Sequence, residues 1–162
     1  MFLAVVVISV ASCDSRPNTS VPKQPAEKPV VKGIDLDERI NSTDSVVVVF
    51  YDDPYTADSS KYTRFYKQYG TTSGTEIIRP LLNNLELPFT KLEKVKACRS
   101  EGKLWLYAKG KIFQTIYFTF TKSSCAFIYL IKDGFFFYMD IQQSFSDQLR
   151  AIQKLVKAPA TM

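Results

Sequence analysis

Between residues 103 and 142, apolar and aromatic side chains recur at every second position, in runs broken by two-residue turn signals. Side chains on a strand point alternately to opposite faces, so a period of two specifies strands rather than helices. Four strands are predicted here, over 103–108, 111–121, 125–132 and 135–142. A fifth, over 92–98, precedes them. Glu101-Gly102, Lys109-Gly110, Ser123-Ser124 and Asp133-Gly134 divide the five. Asp133-Gly134 is the strongest of these signals, because a type I′ turn needs the positive φ that glycine tolerates. Links this short force neighbouring strands antiparallel, which makes a meander.

The rest of the domain reads as helix around one further strand. Residues 35–41 suit a short opening helix. Val46-Val47-Val48-Val49-Phe50-Tyr51 is continuous and β-branched, the pattern of a strand covered on both faces. A helix is predicted over 58–69, capped by Asp58 or Ser59 and stopped by Gly70. Its Tyr62, Phe65, Tyr66 and Tyr69 fall at i, i+3, i+4 and i+7 and so share one face. A further helix is expected over 76–85, with Pro80 placing its regular part after Arg79, and Pro88 closes it off. A last helix starts at Ser146 and turns Leu149, Ile152, Leu155 and Val156 to the sheet. The fold class is therefore α+β: an antiparallel β-meander of about five strands, with 46–51 as a candidate sixth, and helices packed on it.

The meander has two unlike faces. One collects Leu104, Leu106, Ile112, Ile116, Phe118, Ile128, Leu130, Phe137, Met139 and Ile141, and is core. The other collects Trp105, Tyr107, Phe113, Tyr117, Phe127, Tyr129, Phe136 and Tyr138. Two readings of this aromatic face stay open. It is a second core layer under covering segments, or it is a partly open platform. In the second case Trp105, Tyr107, Tyr117, Tyr129 and Tyr138 are the ligand-binding candidates, since such rings offer broad rigid surface with a hydrogen-bonding tip. A saccharide or the edge of an envelope protein suits such a surface.

The start of the chain is of a different kind. Residues 2–8 are apolar but far short of the roughly 20 residues needed to span a bilayer. They have the length of the apolar region of an export leader. Val10-Ala11-Ser12-Cys13 follows. This start resembles the leader and lipobox of bacterial lipoproteins. The resemblance covers residues 1–13 only, and no Lys or Arg precedes the apolar run. It implies a signal peptide over 1–12, cleavage before Cys13, acylation of Cys13 and a membrane held through that lipid. The rival reading is a plain secretory leader cut near Ser12, which leaves Cys13 a free thiol.

If Cys13 carries lipid, Cys98 and Cys125 are left as a pair, and export exposes them to an oxidising compartment. In a flat meander these two would stand about 14 Å apart. A disulfide then requires a strongly curled sheet or a Cys98 carried on a loop folded over the sheet end. Residues 13–33 hold Pro17, Pro22, Pro25 and Pro29 and read as an extended tether reaching up to roughly 60 Å. One globular domain over 34–158 follows.

Charge and composition narrow the function. The chain has a net charge of +5 and no histidine, which removes the commonest general base and metal ligand together. The basic residues Lys91, Lys94, Lys96, Arg99 and Lys103 are interrupted by Glu93 and Glu101, so a solvated face is expected there and no nucleic-acid partner. No nucleotide loop, serine-nucleophile motif or zinc spacing occurs, and no cofactor is implied. Asn18-Thr19-Ser20 and Asn41-Ser42-Thr43 match the glycosylation acceptor by chance spacing. Asp52, Asp53 and Asp58 are the weak candidates for a metal, set against an ordinary role in turns and helix caps. The expected function is a membrane-tethered envelope lipoprotein acting as a non-enzymatic binding or interaction module. The alternative is a metal-dependent hydrolase built on those three carboxylates.

Overall fold

A computed structural model of the chain describes residue 36 and residues 40–72, 76–86, 88–92, 94 and 96–160. The leader, Cys13, the tether and most of the expected opening helix lie outside these residues. Within them the Ile40 N–H donates to the Leu36 carbonyl at 2.9 Å.

Seven strands form a single antiparallel sheet: β1 (Ser45–Tyr51), β2 (Tyr66–Thr72), β3 (Thr90–Lys91), β4 (Gly102–Ala108), β5 (Lys111–Thr119), β6 (Phe127–Lys132) and β7 (Phe135–Asp140). Their order is β2-β1-β4-β5-β6-β7-β3. Two helices, α1 (Ile78–Asn83) and α2 (Gln143–Gln153), complete the described fold. The β4-β5-β6-β7 meander is the one expected from the alternation. Its two hairpins turn through Lys109 and Gly110, with φ of 52° and 71°, and through Asp133 and Gly134, with φ of 51° and 77°. Positive φ at both central residues is the type I′ conformation, whose twist matches that of the flanking strands.

Elsewhere long-range pairing overrides local pattern. No helix spans 58–69. The chain turns through 53–65 and then runs as β2, with Tyr66 opposite Tyr51 and Tyr69 opposite Val48. The apolar strand β1 has two edges to satisfy, and β4 fills only one of them. Pairing along the other outweighs the helical spacing of the tyrosines. Phe65, counted as part of a buried helical face, is exposed, and Gly70 sits inside β2 rather than ending a helix.

Among the described residues of 92–98 no strand forms. Thr90 and Lys91 pair instead, with β7 at the far edge of the sheet. Glu101-Gly102 is not a turn. Tyr51 N–H donates to the Glu101 carbonyl and Gly102 opens β4 between Phe50 and Phe118. The helix expected over 76–85 is shorter, with Pro80 in its first turn, where a missing N–H costs nothing. α2 begins three residues before Ser146 and buries Phe145, Leu149 and Ile152, while Leu155 lies beyond its end and is 50% exposed.

Both helices pack on one face of the sheet. Ile78, Leu81 and Leu82 of α1 and Phe145, Leu149 and Ile152 of α2 close over Val46, Val48, Leu104, Leu106, Ile116, Phe118, Ile128 and Leu130. This is the apolar face read from the sequence, with one exchange. The register of β4 on β5 slips between Leu106 and Tyr107, so Leu106 faces Gln114 but Tyr107 faces Ile112. The extra residue turns Phe113 to the core side and leaves Ile112 on the opposite face, 48% exposed.

Candidate functional site

The face turned away from the two helices carries the aromatic residues in rows. Lys103, Tyr117, Tyr129 and Tyr138 lie in register across β4, β5, β6 and β7. In the next row toward the hairpin turns Trp105 faces Thr115, and Ile131 faces Phe136. The rings pack chiefly on one another. Tyr117 and Tyr129 stack at 4.9 Å between centroids and 14° between planes, and Phe127 and Tyr138 meet edge to face at 5.4 Å. Stacked cross-strand rings stand upright, so they present rims and hydroxyl tips outward rather than flat faces.

Half of this face is closed. The loop over 52–65 and the segment 96–101 fold across its β1 and β6 end. Tyr62 packs edge-on against Tyr51 at 5.3 Å, and its hydroxyl donates to the Ser100 carbonyl at 2.9 Å and meets the Ser100 hydroxyl at 2.7 Å. Arg99 lies over the Tyr62 ring and donates to the Thr56 carbonyl at 2.6 Å. Lys96 places its ammonium over Phe127 at 4.4 Å and pairs with Asp140 at 3.6 Å, while its N–H donates to the Tyr138 hydroxyl. Phe127 and Tyr138 are buried as a result. Burial, together with the neighbouring phenols Tyr62 and Tyr117, pushes the Tyr51 hydroxyl well above its ordinary value and that of Tyr129 up to about 12. Both phenols stay protonated near neutral pH.

A disulfide pins this cover. Cys98 and Cys125 are bonded, with Cα atoms 6.0 Å apart. Cys98 sits in the loop and Cys125 in the short turn Ser123–Cys125 before β6. Of the two geometries that allow the bond, the folded-over loop is the one adopted.

The other half stays open. Trp105, Tyr107, Thr115, Tyr117 and Phe136 are half-buried, and Ile112 and Ile131 are exposed, the latter at 45%. Among the described residues no helix covers them. Lys103 stands at the boundary with its ammonium over the Trp105 ring at 4.6 Å, and burial lowers its pKa. Of the five ligand-binding candidates, Trp105, Tyr107, Tyr117 and Tyr129 are all half-buried, the first three on the uncovered half and Tyr129 between the two regions, and Tyr138 is buried under Lys96.

The three aspartates do not converge. Asp52 and Asp53 are exposed at the end of β1, and Asp53 accepts the Tyr55 N–H at 3.3 Å. Asp58 accepts both the N–H and the hydroxyl of Ser60, at 3.0 and 2.6 Å, which holds its carboxyl below the usual carboxylate range. Among the described residues no three acidic or cysteine side chains are grouped to hold a metal ion. These are turn carboxylates.

One buried acid went unrecognised in the sequence. Glu101, read there as half of a turn, is only 4% exposed. Its carboxylate accepts the hydroxyls of Tyr55, Thr119 and Thr121 and the N–H groups of Phe120 and Thr121. Every contact is a donor from the protein itself, so the group ties the 52–57 loop to the end of β5 rather than facing a substrate.

Compared with protein-family models, curated proteins and solved structures, the chain matches none at a significant level.

Proposed function

We propose that this chain is a lipid-anchored protein of the bacterial cell envelope whose domain is a non-enzymatic binding module, with the open half of the aromatic face as its binding surface. The observation that carries the reading is the division of that face. A disulfide and two packed loops close one half, while Trp105, Tyr107, Tyr117 and the exposed Ile112 and Ile131 occupy the other. Apolar surface left open beside so thoroughly covered a neighbour is the signature of an interaction site. Trp and Tyr supply rigid contact area with polar tips, which suits a saccharide or an envelope protein. The lipobox-like Val10-Ala11-Ser12-Cys13 supports an anchor at Cys13, and the proline-rich residues 13–33 support a spacer that holds the domain off the membrane.

Trp105 is the only tryptophan, so its emission reports this surface alone. The test is a titration of the full chain in detergent with soluble cell-wall glycan fragments, followed at Trp105. A saturable spectral change, weakened by Tyr107→Ala, is expected. No response to any fragment, from a tryptophan that small quenchers reach freely, would leave the face without a glycan ligand and reduce the domain to a structural part of the envelope. Labelling cells with a tagged fatty acid tests the anchor, with incorporation expected in the parent chain and lost in Cys13→Ser.

A further inference from the structure

We infer that a gap between β5 and β6 is the specificity pocket of the aromatic face, and that it takes the secondary amide of an N-acylated sugar. The inference rests on the binding-module reading and names its ligand class.

The gap is a missing rung in the sheet. Tyr117 faces Tyr129 and Thr119 faces Phe127, so the next rung would join Thr115 to Ile131. It is not made. Pairing stops at Tyr117, although β5 reaches back to Lys111 and β6 runs on to Lys132. The two hairpins part at this point and leave a recess of about 310 Å³ between Ile112, Phe113, Gln114, Thr115 and Tyr117 on one side and Ile131 on the other.

The hydrogen-bond ladder shows where the unpaired backbone groups point. The Tyr107 carbonyl accepts from Asp44, just before β1, so odd-numbered residues of β4 address β1 and even-numbered ones address β5. Leu104 faces Ile116 and Leu106 faces Gln114, so even-numbered residues of β5 answer β4 and odd-numbered ones turn toward β6. The N–H and C=O of Thr115 therefore point into the recess, and those of Ile131 point back at them. Gln114 already donates its side-chain amide to the Thr115 carbonyl at 2.9 Å. A primary amide thus stands in for the absent strand neighbour, and the carbonyl keeps a second lone pair.

Along β6 the opening is one rung long, because Lys132 and the Asp133-Gly134 turn leave Ile131 as the single residue facing it, while along β5 the recess continues past the bulge at Phe113 to Ile112. An inserted peptide strand would have to run parallel to β5 or to β6, which are antiparallel to each other, and would gain a single rung on β6. A secondary amide carries one N–H and one C=O, the complement of a single rung. No charged side chain lines the recess, which fits a neutral group and not a carboxylate, phosphate or ammonium. Tyr117 forms one wall and Trp105 faces Thr115 across the β4–β5 register, so a sugar ring carrying the amide has aromatic surface beside it.

The experiment uses the full chain, ¹⁵N-labelled in detergent, titrated with triacetylchitotriose and with cellotriose, which has hydroxyls where the former has acetamido groups. Two hydrogen bonds to the amide predict roughly tenfold tighter binding of the acetylated sugar. Its binding should shift the Thr115 and Ile131 amide resonances together with the Trp105 indole. Thr115→Pro, which removes an N–H that no strand partner uses, should bring the two sugars to equal affinity. The wild-type amide shifts decide the matter if that variant fails to fold. Equal binding of both sugars with Trp105 shifted and Thr115 and Ile131 silent would overturn the amide pocket and leave the binding surface standing. Silence of all three signals toward both sugars would remove the pocket and the glycan-binding surface together. An acetylated tripeptide binding as tightly as the chitotriose would overturn the sugar assignment.

Discussion

Replacing Glu101 should unsettle the domain. The carboxylate is 4% exposed and gathers three hydroxyls and two backbone N–H groups. Glu101→Ala strands at least two groups that water does not reach, the Thr119 hydroxyl and the Phe120 N–H, since Thr119 is fully buried and Phe120 nearly so. An unpaired buried donor costs about 1–3 kcal/mol, and relief from holding a desolvated charge returns part of that, so a net loss of about 3 kcal/mol is expected. Glu101→Gln keeps the shape but turns an amide NH₂ toward donors, and should lose about 2 kcal/mol. Chemical denaturation read by tyrosine and tryptophan emission gives both values, with an unchanged denaturant slope expected. A double-mutant cycle with Tyr55→Phe should show coupling of at least about 0.5 kcal/mol, because that hydroxyl bonds the same carboxylate. Both variants lying within 0.5 kcal/mol of the parent would refute the idea that this buried network holds the loop.

Other consequences follow from the same geometry. Breaking the Cys98–Cys125 bond, which closes a separation of 27 residues, should cost about 3.5 kcal/mol on the chain-entropy model, read as a lower denaturation midpoint for the paired Cys→Ser variant. Gly102→Ala should fail to give a stable domain, because a Cβ there would lie 2.1 Å from the Val49 carbonyl oxygen and 2.4 Å from the Phe118 ring; circular dichroism melting checks it. The Tyr51 and Tyr129 phenols titrate above the ordinary 10.0 in the folded chain. Their contribution is intact below pH 10 and is lost as pH rises from 10 toward 12, because the unfolded chain releases its protons first. Stability measured from pH 8 to 12 should therefore fall above 10, and Tyr129→Phe should soften the fall.

What the sequence made legible was local. The two hairpins are marked by Lys109-Gly110 and Asp133-Gly134, whose turn chemistry acts within four residues. The alternation of β4 to β7 followed directly, and with it the aromatic face that carries Trp105, Tyr107 and Tyr117. β2 was hidden because Tyr62, Phe65, Tyr66 and Tyr69 are spaced as on a helix, and only the free edge of β1 makes 66–72 a strand. The exchange of Ile112 and Phe113 was hidden for a similar reason, since a bulge shifts the period by one without a marker in the residues. Glu101 could not be found, because its role depends on Tyr55 and Thr121 arriving from 46 and 20 positions away. The cover on the aromatic face is likewise tertiary. Tyr138 resembles Tyr117 in sequence and differs only in lying under Lys96.

Binding on the aromatic face requires it to be reachable at Trp105 while its other end is closed. Acrylamide quenching of the full chain in detergent measures this. Quenching of Trp105 should be intermediate between that of a buried indole and a free one, reduced when ligand is bound and unaffected by reduction of the disulfide at the closed end. A Trp105 that acrylamide cannot reach in the unliganded chain would show that the whole face is core and carries no binding surface.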